Sequence, residues 1–215
     1  QVMAGLHSLH SALDIIEENI EDLGKVAGIG KKRIAMIGKA WDDQREIRDI
    51  MIFLQTHDVS SGYAAKIFRQ YGSQTIQVVQ ENPYRLATDI FGIGFLTADR
   101  IAEKLGFEKT SPVRAEAGVL YVLDQLANEG HVYFPYEPLI KECMDVLEVD
   151  RETIVRAIAA ISEENRIIIE DLNRGGEDLK ENHKAVYLAP YHVCETGIAE
   201  RMKGLMRAPK DIRPI

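Results

Sequence analysis

Val26-Ala27-Gly28-Ile29-Gly30-Lys31 and Ile90-Phe91-Gly92-Ile93-Gly94-Phe95 repeat one pattern 64 residues apart, with Ile37 and Ile101 in matching places after them. A pattern that recurs within one chain carries more weight than either copy. Each copy is a Gly-hydrophobic-Gly turn that follows one short helical pattern and opens another. Glycine accepts positive φ and lets a ligand come close to the backbone. The unbonded N–H groups and the dipole of a helix that starts there present an anion site. The two turns therefore predict phosphate binding through Gly28, Ile29, Gly30, Gly92, Ile93 and Gly94.

Lys31, Lys32 and Arg33 fill the first turn of the helix after Gly30. Positive charge opposes the helix dipole there by about 0.3 to 1 kcal/mol each, so three cations placed against local preference point to an anion outside. The second copy has Phe95, Leu96 and Thr97 instead. Thr97 joins the candidate contacts, and Phe95 either stacks on a base, as aromatics do in single-strand binders, or packs between hairpins. Between the copies, Ser60-Ser61-Gly62-Tyr63-Ala64-Ala65-Lys66 reads as a degenerate third copy if Gly62 stands for the second glycine. Lys66 and Arg69 would then be either backbone contacts or residues of a purely structural copy.

Rival motifs fail on spacing. A nucleotide loop needs GxxxxGK followed by Ser or Thr, whereas Gly28 has Arg33 five residues on and Gly38-Lys39 is followed by Ala40. A GxGxxG reading fails because no strand pattern precedes Gly28 or Gly92. No catalytic Asp in a Gly/Pro-rich stretch follows either turn, as a base-excision glycosylase would require. The chain is therefore expected to hold no catalytic residue, no metal and no bound cofactor.

Outward from the turns, Leu6, Leu9, Leu13, Ile16, Ile20 and Leu23 recur at steps of three and four and predict one helix ending at Gly24. His7 and His10 beside that stripe lack a third ligand, so they read as solvated, like Glu17, Glu18, Glu21 and Asp22. From Gly24 to Gly106 the spacing predicts short helices punctuated by Gly and Pro. One runs through Ile34, Ile37 and Trp41, the next through Ile47, Ile50, Met51 and Leu54, and a third through Ile67 to Gly72. A fourth stops before Asn82-Pro83, because the residue before proline is pushed out of the helical region. The last closes at Gly106.

Beyond Pro112 the predicted order is helix (Val113 to Ala127), strand (His131 to Phe134), helix (Glu137 to Leu147), helix (capped by Asp150), strand (Arg166 to Glu170), loop, strand (Ala185 to Ala189). That is the order of a winged helix. Arg151 and Arg156 sit among Glu152, Glu163 and Glu164, a poor set for entering a groove, so the region is expected to serve packing or an interdomain role, with Arg174 and Lys180 as the wing's only contact candidates. A final helix runs from Glu195 to Met206. The fold class expected is mainly α, a tandem helix-hairpin-helix bundle followed by a winged-helix-like α+β subdomain. Its domains would be residues 1–110, 111–190, and 191–215 as a helix and linker.

The net charge of -8 argues against nucleic acid until it is divided along the chain. Residues 21–109 hold 13 Lys/Arg against 12 Asp/Glu, while residues 111–215 hold 13 against 19. DNA contact thus belongs to the middle. The two cysteines, Cys143 and Cys194, have neither CxxC nor ligand spacing and fit a reducing, cytoplasmic setting. No run of about 18 apolar residues offers a membrane span. An opening on Gln1 and an extended exit through Pro214 read as an excised piece of a longer chain.

The run Asn82-Pro83-Tyr84-Arg85-Leu86, then Gly92-Ile93-Gly94-Phe95 with Ala98-Asp99 and Ile101-Ala102, resembles the N-terminal region of RecD-like superfamily 1 DNA helicases, often labelled exonuclease V alpha subunit. The resemblance covers about Gly5 to Met206. It implies a DNA-backbone-binding region of an ATP-dependent 5'-to-3' helicase acting in DNA repair or recombination. ATP and magnesium would belong to motor domains beyond these residues, which would be its partners together with single-stranded or junction DNA. One departure concerns the first turn: Ala98 stands six after Gly92, as the family's small residue does, but Gly28 is answered by Ile34. The alternative function is a scaffold that uses degenerate hairpins to dock a partner protein or the motor.

Overall fold

A computed structural model describes residues 20–25, 29–173 and 183–207. The described residues include a 3-10 helix, Ile20–Lys25, and the helices α1 (Lys31–Thr56), α2 (Ser61–Tyr71), α3 (Thr75–Glu81), α4 (Arg85–Asp89), α5 (Phe95–Lys104) and α6 (Pro112–Asn128). Strand β1 (Tyr133–Pro135), helices α7 (Tyr136–Leu147) and α8 (Arg151–Glu163), strands β2 (Ile167–Asp171) and β3 (Lys184–Leu188), and helix α9 (Ala189–Arg207) follow. The protein is mainly helical, with an α+β part at its C-terminal side. Most of the helix predicted over Leu6 to Leu23 lies outside the described residues, as do Gly28, Arg174 and Lys180.

The chain divides into two compact units, the first ending at Glu81 and the second beginning at Asn82. The boundary expected near residue 110 falls inside the second of these units. Tyr84, Phe95, Ala98 and Ala102, from the segment that forms the Gly92 hairpin, are buried in one core with Ala115, Val119, Leu139, Ile158 and Val186. A hairpin that shares its apolar face with the C-terminal elements belongs to their unit.

In the first unit α1 is one helix of 26 residues where two short ones are predicted. The gap between Trp41 and Ile47 holds Asp42, Asp43, Gln44, Arg45 and Glu46, all exposed, and a polar turn facing water interrupts an apolar stripe without breaking a helix. At Gly38 within it the Ile20 side chain packs close to the backbone, since a Cβ there would lie 2.9 Å from Ile20 Cδ1 and would push that methyl aside. The predicted ends at Gly72 (φ 54) and Gly106 (φ 83) hold, because both follow a helix with a positive φ that glycine adopts without a Cβ clash.

From α6 to β3 the second unit has the predicted order of helix, strand, helix, helix, strand, strand. Its antiparallel sheet runs β1-β3-β2, with Phe134 opposite Val186 and Ile169 opposite Val186 on the face toward the core. Asp150 caps α8 as predicted, its Oδ1 accepting the Thr153 amide at 2.8 Å. Cys143 is fully buried, and burial pushes its thiol up to about 12, which removes it as a nucleophile at neutral pH.

Candidate nucleic-acid interface

Three helices start alike. Gly30 precedes α1 with φ -91 and ψ 168, Gly94 precedes α5 with φ -97 and ψ 175, and Ser60 precedes α2 with φ -61 and ψ 152. Each carbonyl accepts the first helical amides: Arg33 and Ile34 at Gly30, Thr97 and Ala98 at Gly94, Ala64 at Ser60. None of the three has an acid in its first turn, where helices usually gain from one.

The middle copy is real but lies two residues from the predicted register. Gly62 is the second residue of α2 rather than a turn glycine. The turn is Asp58-Val59-Ser60: Asp58 has φ 61 where Gly92 has φ 95, and Val59 is buried as Ile93 is. Aspartate tolerates the left-handed region better than most side chains, so it replaces the first glycine. Downstream, Ala64 and Ile67 match Ala98 and Ile101, all buried. In this register Lys66 on α2 and Arg100 on α5 occupy equivalent exposed positions, six residues after Ser60 and Gly94. Arg100 is not legible in the sequence, because the buried residue after the left-handed position, and not a glycine, sets the register shared by the two turns.

What separates the copies is how the first amides are satisfied. The Ser60 hydroxyl accepts the Tyr63 amide at 3.4 Å, so α2 caps itself. No side chain caps α1 or α5. A Cβ added at Gly30 or Gly94 would meet no protein atom within 4 Å, so packing does not demand glycine there. A bare backbone beside uncapped amides is what a closely approaching anion needs.

The sequence candidates are distributed as follows. Ile29 is half-buried, and Lys31, Lys32 and Arg33 are all exposed on the first turn of α1. Lys66 Nζ sits 5.6 Å above the Tyr63 ring on α2. The Ile93 side chain is 3% exposed, so only its backbone reaches outward. Phe95 is no base platform: it is buried, its ring 4.9 Å from that of Tyr121 and 5.8 Å from that of Tyr84. Its amide, with those of Gly94 and Leu96, remains at the helix start, and the half-buried Thr97 spends its amide on Gly94.

Behind this turn lies an ionic clasp. The Asp99 carboxylate accepts the Tyr84 hydroxyl at 2.7 Å and the Arg114 guanidinium at 2.9 and 3.1 Å. Arg114 also donates to the Lys109 and Leu147 carbonyls, each at 3.0 Å. Burial, then the bond to Asp99, holds the Tyr84 phenol protonated far above its ordinary range. Tyr84 and Asp99 both lie in the run that carries the resemblance, and the Asp99–Arg114 ion pair ties that hairpin to α6.

Among the described residues no group of His, Cys, Asp or Glu could hold a metal ion, and no helix is long and apolar enough to cross a membrane. The geometry defines a class of helix-hairpin-helix region, and the ATP-dependent RecD2 DNA helicase HHH domain family matches residues 43–133. That stretch includes the Asp58 and Gly92 turns and leaves out Gly30. The chain is also 25% identical over 126 residues to the ATP-dependent RecD2 DNA helicase of Deinococcus radiodurans, an alignment covering 58% of this chain and 18% of that protein. The chain thus matches under a fifth of the length of this curated relative. Both findings bear out the resemblance to the N-terminal helix-hairpin-helix region of RecD-like helicases.

Proposed function

We propose that this chain is the DNA-backbone-binding region of an ATP-dependent 5'-to-3' DNA helicase that works in repair or recombination, gripping phosphates at the Gly30 and Gly94 helix starts. The observation that carries the reading is the pair of uncapped helix starts with matching backbone and open space above each glycine. Main-chain donors and nearby cations reach phosphates only, so binding is weak and tolerant of sequence. ATP and magnesium serve motor domains outside these residues, and the protein acts in the cytoplasm.

Titration of single-stranded oligonucleotides between low and moderate salt tests this. If about three to five phosphates are neutralised, log K against log salt falls with a slope of roughly -2 to -3.5, at about 0.7 per phosphate. A flat salt response, or strong preference for one sequence, would reject the backbone grip.

The Gly94→Asp variant separates binding from folding. Its backbone at φ -97 suits aspartate, and the added carboxylate would cap α5 much as Asp150 caps α8. Stability should hold or rise by a few tenths of a kcal/mol. DNA affinity should fall about fivefold, from about 1 kcal/mol of repulsion between the new charge and a phosphate. Unchanged affinity at low salt would remove the Gly94 turn from the interface.

A docking reading is favoured by α9. Ile198, Met202 and Leu205 are all more than half exposed at helical spacing, and none of its 19 residues is buried. We propose that this stripe meets the motor domains of the same protein. Glutamate at Met202 and Leu205 would then weaken that association while leaving DNA binding by the isolated chain intact.

A further inference from the structure

Phe91 is 96% exposed at the tip of the Gly92 hairpin, while Ile90, Ile93 and Phe95 around it are all buried. The exposure is imposed by the turn. The Ile93 amide donates to the Ile90 carbonyl at 3.1 Å, closing a four-residue turn with Phe91 and Gly92 at its apex, and Gly92 takes φ 95 as the third residue. A positive φ there is the mark of a type II turn. With both ends of the turn buried, the position from which the ring projects is set before any ligand arrives. The equivalent ring of the middle copy behaves differently: His57 is half-buried, its ring 4.5 Å from that of Phe53.

We propose that Phe91 stacks on a DNA base beside the phosphate held at the Gly94 helix start, and so favours DNA whose bases lack a stacking neighbour. The inference rests on the DNA reading above. Phe91 is three residues from Gly94, whose helix starts without a side-chain cap, and that helix carries the exposed Leu96 and Arg100 in its first two turns, so the apolar tip leads into uncapped amides and a helix with an exposed cation. Bases and phosphates alternate along a nucleic acid strand in the same way. A phenyl ring has no hydrogen-bonding group and meets the π-face that every base shows, which suits binding that does not read sequence. In an uninterrupted duplex those faces are already stacked, and a ring enters only by opening a step. Single-stranded or forked DNA has such faces available.

The test uses the 215-residue chain with one oligonucleotide carrying an internal 2-aminopurine, presented as a single strand and as a duplex. The single strand should bind more tightly, with a change in 2-aminopurine emission. Phe91→Ala should weaken single-strand binding about tenfold and duplex binding little, at an unchanged melting temperature, whereas Phe91→Trp should retain both affinity and the emission change. Single-strand affinity unchanged in Phe91→Ala, with the salt slope intact, would overturn the inference and leave the backbone reading standing. Equal losses on both forms would overturn the preference. If the unaltered chain binds neither form at low salt, the DNA reading and the inference fall together, and the exposed ring belongs to a protein contact instead.

Discussion

Replacing Arg114 with alanine should destabilise the second unit by about 2 to 4 kcal/mol, below the figure for breaking a fully buried ion pair because this one keeps some contact with water. The Arg114 and Asp99 side chains are 12% and 24% exposed, so the pair is shielded without being sealed. One guanidinium makes four hydrogen bonds at 2.9 to 3.1 Å, two to Asp99 and one each to the Lys109 and Leu147 carbonyls. Alanine removes all four and leaves a half-buried carboxylate supported only by the Tyr84 hydroxyl. Charge-assisted hydrogen bonds contribute about 1.5 to 3 kcal/mol each, but their losses overlap, so the sum overstates the effect. Arg114→Lys keeps the charge and loses the planar fork, so it should recover only part of the deficit. Asp99→Ala should cost a similar amount, and the double variant much less than the two together. Urea unfolding followed by far-UV circular dichroism measures this, since the one tryptophan, Trp41, lies in the first unit. A loss under about 0.5 kcal/mol for Arg114→Ala, the usual range for an unremarkable surface change, would show that the clasp does not hold the hairpin to α6.

Reversing the charge at Lys31, Lys32 and Arg33 together should weaken single-strand binding by about 30- to 100-fold at low salt. A unit charge at 4 Å from a phosphate interacts by about 1 kcal/mol in water, and salt and side-chain motion reduce what three reversals would otherwise sum to. The salt slope should flatten by about 2, at roughly 0.7 for each of three phosphates no longer neutralised. Folding should move the other way or not at all. The three side chains are exposed, and glutamates in the first turn of α1 would complement its dipole where the present cations oppose it. A normal melting temperature with lost DNA binding is the signature of a binding site. If binding survives the triple change and is lost instead with Lys66→Glu and Arg100→Glu, the grip lies on α2 and α5 and the first turn is not part of it.

Much of this protein was legible from local chemistry. The helix ends at Gly72 and Gly106, the Asp150 cap, the break before Pro83 and the order of elements after Pro112 all follow from which φ values a residue tolerates and where its apolar neighbours fall. The Gly92 turn is of the same kind, because a left-handed residue followed by an extended one at a helix start is a short-range requirement. Local chemistry did not say which face of an element meets another. Phe91 and Phe95 both adjoin the hairpin, and Phe95 is inside because Tyr84 and Tyr121 pack on it from other helices, while the turn directs Phe91 outward. The register of the middle turn is not legible from its glycine, because aspartate and serine there do what glycines do elsewhere, and only the burial of Val59, Ala64 and Ile67 reveals it. Similarly, Asp99 and Arg114 are ordinary charged residues in the sequence until α5 and α6 come together. The division at Glu81 has the same origin: a hairpin joins whichever core covers its apolar side, and that choice belongs to the tertiary structure.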